Sequence, residues 1–145
     1  MTRQLSIRDL SAGDLLRLVP LLEELGYPVT SDALETRFAF FASKGESALV
    51  ALRDERVVGL LTLHVTHVLH RPGSVGRVTT LVVAQDVQGQ GIGRALMDEA
   101  ERRLWARDCV LIEVTSNMKR SDAHDFYEKL GYERTSFRFG KTRAS

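Results

Sequence analysis

Residues 81–94, Leu-Val-Val-Ala-Gln-Asp-Val-Gln-Gly-Gln-Gly-Ile-Gly-Arg, constrain this chain more than any other segment. An apolar, β-branched run ends near Gln85, three glycines follow at alternate positions, and from Ile92 apolar residues recur every four places at Leu96, Ala100 and Leu104. The first pattern is that of a strand and the second that of a helix with one buried stripe. The chain must therefore turn from strand to helix through Gly89, Gly91 and Gly93. Without a Cβ, these residues let the backbone come close to another group. The N–H groups of the helix's first turn lack acceptors within the helix and carry the positive end of its dipole. Such a turn suits a phosphate-like anion; a tight connection with no ligand is the plainer alternative.

Two familiar glycine motifs fail on spacing. A P-loop places Lys-Ser/Thr directly after its second glycine, and this segment has no lysine. A dinucleotide fingerprint needs a glycine where Arg94 stands.

The rest of the chain is that of an ordinary soluble domain. Its 145 residues are 43% hydrophobic and 27% charged, enough to bury a core without disulfide staples. No linker, repeat or low-complexity tract divides it, so residues 1–145 read as one domain. Twenty basic and 19 acidic residues leave a net charge of +1, which gives no overall field toward nucleic acid or an anionic membrane. Neither is expected as a partner. Charged residues break up the first twenty positions, and no apolar stretch is long enough to cross a bilayer. With the single cysteine, Cys109, at the head of an apolar run, the expected location is the cytoplasm.

Residues 5–8, 47–53, 57–65, 77–84, 110–115 and 132–139 read as strands, with Asp54-Glu55-Arg56 making a hairpin. A first helix should carry Leu15, Leu18, Val19 and Leu22 after a cap at Ser11 or Asp14, bent or broken by Pro20. A second opens at Ser31 and Asp32, turning Leu34, Phe38 and Phe41 to the core. The third starts at Ile92, and the fourth spans 122–130 and stops at Gly131. Antiparallel strands followed by a β-α-β unit imply a mixed sheet with helices on its faces.

The turn resembles motif A of the GNAT acetyltransferases, whose signature is Gln/Arg-x-x-Gly-x-Gly/Ala. Gln88, Gly91 and Gly93 match it, with Gly89 and Ile92 as frequent fillers. Asn117, Ala123, Phe126, Tyr127, Lys129, Leu130, Gly131 and Tyr132 resemble motif B, Asn then Ala-x-x-Phe-Tyr-x-Lys-Leu-Gly-Phe/Tyr, in the right order and at the right distance. The likeness covers residues 57–140. It implies an α/β (α+β) GNAT fold: a mixed, mostly antiparallel sheet of six to seven strands flanked by about four helices.

The resemblance also implies acetyl-CoA as cosubstrate. The amides of Gln88, Gly89, Gln90, Gly91, Ile92, Gly93 and Arg94 would hold its pyrophosphate, and the Val82–Val83 backbone would pair with pantetheine. Asn117, Ala123 and Phe126 would complete the cofactor site, although Asn117 can equally serve a turn. Tyr127 is the implied general acid: a phenol of ordinary pKa near 10 stays protonated at neutral pH and can give its proton to the departing thiolate. An aromatic core role for Tyr127 is the alternative. The oxyanion donor would be an amide near Val83.

The acceptor amine must lose a proton before it attacks. Many GNAT enzymes carry a Glu where this chain has Thr80, which cannot serve as a base. Glu113 is the next carboxylate within reach, or else a structural partner of an arginine or a solvent-facing residue. Cys109 lies off both motifs, so direct transfer in a ternary complex is expected rather than a covalent intermediate.

Among GNAT enzymes, the His64, His67, His70 segment, Thr115, Lys119-Arg120, His124 and Ser136-Phe137-Arg138-Phe139 are similar to aminoalkylphosphonate N-acetyltransferases. That likeness implies a small primary amine as acceptor, with Arg77, Lys119, Arg120 and Arg138 available for an acidic group; aminoglycosides, polyamines and amino acids are the other acceptors left open. On an extended strand His64 and His70 share a face and His67 does not, so no metal is expected; a histidine beside the acceptor can supply the base. A homodimer is common in lookalikes. A non-catalytic acyl-CoA sensor and a protein N-terminal acetyltransferase are the alternative functions.

Overall fold

The computed structural model describes residues 4–115, 121–136 and 138–144. They form two compact units, Met1–Val114 and Thr115–Ser145. The first contains β1 (Leu5–Asp9), a 3₁₀ turn at Ala12–Asp14, α1 (Leu15–Glu24), α2 (Ser31–Ser43), β2 (Ser47–Arg53), β3 (Arg56–Thr66) and β4 (Ser74–Val83). A second 3₁₀ turn, Gln85–Val87, leads to α3 (Ile92–Ala106) and β5 (Cys109–Val114). The second unit contains α4 (Ser121–Lys129).

The sheet is built outward from β2 and β3, whose near-continuous apolar runs are buried on both faces: Ala48 to Leu52 on one, Val57 to Leu61 on the other. Strand order is β1-β2-β3-β4-β5. The first three pairings are antiparallel and β4–β5 is parallel, as a crossover through α3 requires. The β2–β3 hairpin closes with Arg53 opposite Arg56, and Asp54 takes φ 59° in its two-residue loop.

α3 lies against the sheet through Ile92, Leu96, Met97, Ala100 and Leu104, all buried, which is the stripe expected from the four-residue recurrence. It fits because two strand positions are glycine. A Cβ at Gly59 would stand 2.9 Å from Leu96 Cδ1, and one at Gly76 would stand 2.8 Å from both Leu104 Cδ atoms. These two contacts also show which face is which. Gly59, Leu61, Leu63 and Val65 of β3 and Gly76 of β4 look toward α3, so Leu60, Thr62 and His64 look the other way.

α1 buries Leu15, Leu18 and Leu21; Val19 and Leu22 are only half-covered, and the helix runs through Pro20 without ending. Thr30, one residue earlier than expected, caps α2 by accepting from Ala33 N–H at 3.1 Å. Leu34, Phe38 and Phe41 are half-buried rather than core residues. Asp14 is 3% exposed and ties β1 to α1. Its carboxylate accepts from Arg8 Nη1 and Nη2 at 2.7 and 2.8 Å, and from Ser11 N–H and Oγ at 2.9 and 3.0 Å. The Arg8 guanidinium is the main reason its pKa lies well below the usual carboxylate range, with the Ser11 bonds helping and burial opposing.

One expected element is not formed. Residues 132–136 and 138–139 carry no strand, so the described residues hold five strands instead of six to seven. Tyr, Thr and Phe favour strands by fitting a half-buried pleated surface. Here Thr135, Ser136 and Phe139 are exposed, and side chains fasten the segment in place of a backbone ladder. Arg134 Nε donates to Glu128 at 2.6 Å and Arg138 Nη1 to Thr115 Oγ1 at 2.6 Å.

Candidate active site

The strand-to-helix turn takes the shape that its glycines permit. Gly89 has φ 82° and Gly91, the N-cap of α3, has φ 86°. Both are left-handed values that cost a side-chain-bearing residue energy. A Cβ at either would meet nothing within 4 Å, so the demand for glycine comes from the backbone and the space above the turn is open. Ala95 N–H makes the bond to Gly91 O at 3.0 Å. The N–H groups of Ile92, Gly93 and Arg94 precede that bond and lie beyond the reach of the helical ladder. Donors left without helical acceptors beside left-handed glycines suit an anion.

Three long-range contacts hold the turn, none signalled by local sequence. Glu24 Oε1, at the end of α1, accepts from Gln85 N–H at 2.8 Å. Arg56 grips Asp86 with two bonds of 2.7 Å, and Arg53 Nη1 donates to Gln90 Oε1. The β2–β3 hairpin thus braces the turn, and the burden on Gln90 is carried by its side chain.

The preceding strand has a free edge. β5 pairs with β4 only from Ser74↔Cys109 to Val78↔Val114. A bulge follows, because Thr62 pairs with Thr80 while Leu63 pairs with Val78, leaving Thr79 as the extra residue. From Thr79 to Val83, β4 keeps β3 on one side and, among the described residues, no strand on the other. Ala84 N–H donates to Val58 O at 2.9 Å. Since successive residues of a strand direct their N–H and C=O to opposite edges, Val83 presents its own pair to the open edge and Val82 faces β3. Gln88 Nε2 donates to the Val83 carbonyl there at 3.2 Å.

On the sheet face turned away from α3, partners across the strands form a polar row. His64 of β3 pairs with Arg77 of β4, and Arg77 pairs with Glu113 of β5. Arg77 Nη2 contacts Glu113 Oε2 at 3.3 Å, the two side chains being 38% and 40% exposed. Thr80 shares this face, as the partner of Thr62. Glu113 therefore has the arginine partner that was one of its three sequence readings. His67 and His70 are exposed beyond the strand. Among the described residues, no group of three or more His, Cys, Asp or Glu side chains is arranged to hold a metal ion. Cys109 is buried, and burial pushes its thiol pKa up, away from nucleophilic use.

In the second unit, the Leu-Gly-Tyr of motif B ends α4. Gly131 takes φ 95°, its N–H donates to Glu128 O at 3.0 Å, and Tyr132 N–H donates to Tyr127 O at 3.0 Å. This double bond pattern is a Schellman cap. It fixes Tyr127 between two edge-on rings, Phe126 at 5.2 Å and Tyr132 at 6.1 Å. Ala123 and Phe126 lie half-buried on α4. Asn117, Lys119, Arg120 and Phe137 lie outside the described residues.

Residues 15–132 match the model of the acetyltransferase (GNAT) family. The chain belongs to that family. It is 40% identical over 92 residues to an aminoalkylphosphonate N-acetyltransferase of Salmonella typhimurium (strain LT2), a match spanning 63% of this chain but 60% of the relative's own length. It is 27% identical over 125 residues to an uncharacterized N-acetyltransferase of Bacillus subtilis (strain 168), covering 84% and 87% of the two chains. The crystal structure of a transcriptional regulator from Bacillus halodurans C-125 shares the fold, with TM-score 0.85, 25% identity and coverage of 97% and 100%. The expected GNAT architecture is thus present, with the strand count corrected as above. No helix among the described residues is long and apolar enough to cross a membrane.

Proposed function

We propose that this chain, as one domain over residues 1–145, is an N-acetyltransferase that moves the acetyl group of acetyl-CoA to a primary amine of a small molecule. The observation that carries the reading is the turn at 88–94, where two left-handed glycines with open space beside them lead into the three first-turn amides of α3. That arrangement fits a diphosphate, and the open edge of β4 fits an extended amide-bearing arm added as a strand would be. Gln88, Gly89, Gln90, Gly91, Ile92, Gly93 and Arg94 would hold the pyrophosphate. Val83 would hold pantetheine through its edge-facing N–H and C=O, its N–H also aimed at the carbonyl oxygen; the Val82 backbone, expected to share that pairing, is instead taken up by β3. Asn117, Ala123 and Phe126 are assigned to the cofactor on motif position.

Acetyl-CoA supplies an activated acyl group. The amine nitrogen bonds to the carbonyl carbon as the carbon–sulfur bond breaks; the sulfur takes a proton from Tyr127, and the amine's proton passes to a base. Glu113 is assigned as that base, which requires it to release Arg77. The likeness to the Salmonella enzyme supports an aminoalkylphosphonate or another acidic amine as acceptor.

A second reading, a CoA-binding module without catalysis, draws on Thr80 at the usual carboxylate position and on the engagement of Glu113 by Arg77. Calorimetry with CoA and acetyl-CoA, followed by thiol release over a panel of amines and peptides, separates the readings. The transferase binds both cofactors and turns over small amines. Binding without transfer to any acceptor would leave the module, and no binding by folded protein would remove both.

A further inference from the structure

Three features of the sheet face opposite α3 coincide. Arg77 and Glu113 stand side by side on β4 and β5, one pair before the last rung that joins those strands, Val78↔Val114. The bulge at Thr79 and the open edge of Thr80–Val83 begin immediately beyond. The Arg77–Glu113 contact itself is a single bond at 3.3 Å between two partly exposed side chains. An arginine has five donors and a carboxylate about four acceptor positions; at this length and exposure their mutual attraction is weak and readily exchanged. For comparison, Arg8 and Asp14 of the same chain meet in two bonds of 2.7 and 2.8 Å with the carboxylate buried. That second pair is a structural lock, and the first has neither its geometry nor its burial.

We propose that Arg77 and Glu113 determine acceptor specificity by exchanging their contact for the two ends of a zwitterionic amine. The guanidinium takes the acceptor's acidic group and the carboxylate takes its ammonium, at the rung next to the open edge of β4. This inference rests on the transferase reading and assigns its acceptor site. The opposite charges fit an amine carrying a phosphonate or carboxylate a few bonds away, since each end meets its complement and neither protein charge is left unpaired. A neutral-ended amine satisfies Glu113 alone and leaves Arg77 without its partner, so it is the poorer acceptor. His64, the neighbour of Arg77 on β3, flanks the guanidinium side of the row.

The test compares aminoethylphosphonate with ethanolamine, which has the same chain and a neutral end. The whole chain is assayed by thiol release with saturating acetyl-CoA. The parent should favour the phosphonate. Arg77→Met should cut kcat/KM for aminoethylphosphonate by about 10-fold or more, mainly through KM, the scale expected for losing a hydrogen bond to a charged group. Ethanolamine should change by less than about threefold, and Arg77→Lys should restore part of the loss because the charge returns without the fork. Glu113→Gln should weaken both acceptors, and CoA affinity should be unchanged in all variants. Arg77→Met/Glu113→Gln removes both charges at once and serves if a single variant is poorly folded; it too should lose the preference. Equal loss for both acceptors in Arg77→Met, or a parent that prefers ethanolamine, would overturn the inference and leave the transferase standing. A parent that binds CoA and acetylates nothing would instead bring down the transferase reading on which it rests.

Discussion

Substituting Gly91 by alanine separates what the cradle turn does for folding from what it does for a ligand. Gly91 sits at φ 86°, and a Cβ there meets nothing within 4 Å. The cost to stability therefore has no steric part. It is the price of left-handed backbone for an L-residue, about 1–2 kcal/mol, or a fall in Tm of roughly 3–8 °C for a chain of this size. Gly45 is the matched control: its φ is 72° and its Cβ position is equally open, but it lies at the end of α2. Gly45→Ala should lose a similar amount of stability. Only in Gly91→Ala should the methyl project into the space assigned to the pyrophosphate. Displacing a phosphate enough to lose one hydrogen bond to a charged group costs about 1.5–3 kcal/mol, roughly a 10- to 100-fold weaker Kd. Chemical denaturation of both variants, with calorimetric titration of CoA, measures the two quantities separately. Equal CoA affinity for Gly91→Ala, Gly45→Ala and the parent, alongside the expected stability losses, would refute the placement of the diphosphate at this turn.

Tyr127→Phe keeps the ring packing between Phe126 and Tyr132 but removes the acid, so kcat should fall by about 10²- to 10⁴-fold with little change in the KM for acetyl-CoA. Steady-state thiol release measures both, and an unchanged kcat would return Tyr127 to a packing role. Asp14 has a depressed folded pKa, so its contribution is fully present above the unfolded value, about 3.9, and disappears as pH falls toward the folded one. Asp14→Asn should cost about 2–3 kcal/mol at neutral pH, below the range for a fully buried pair because Arg8 is half exposed. Urea melts at intervals from pH 7 downward should show the gap from the parent closing below about pH 4; a constant gap would remove the Arg8–Asp14 lock. Gly59→Ala forces a methyl against Leu96 and Ile92 of α3, and should destabilise by about 1–3 kcal/mol in equilibrium denaturation. No loss would mean that α3 can shift off β3 freely.

What was legible in the sequence was whatever depends on neighbours along the chain. The period of α3 named all four of Ile92, Leu96, Ala100 and Leu104 as buried, because packing against one sheet face leaves a helix only one way to turn. The apolar runs of β2 and β3 showed two strands joined as a hairpin, and the glycines of the turn showed where the backbone could come close to another group. What stayed hidden depends on residues far apart in sequence. Nothing near Arg56 announces Asp86, thirty positions on, and nothing near Gln85 announces Glu24. The residues after Gly131 have strand-forming side chains but lack a ladder in the described structure, a shortfall that propensity cannot reveal. The extra residue at Thr79 is equally silent, since bulges have no composition of their own, yet it marks where β4 parts from β5.

Cys109 has a practical consequence for bench work. Acetyl transfer is followed through the sulfhydryl that leaves with CoA, and reagents that report it react with any accessible thiolate. This chain's only sulfhydryl is shielded and held protonated, so native enzyme should add little background to such readings. A slow rise in colour toward one equivalent per chain, without any amine present, would instead count molecules that have opened.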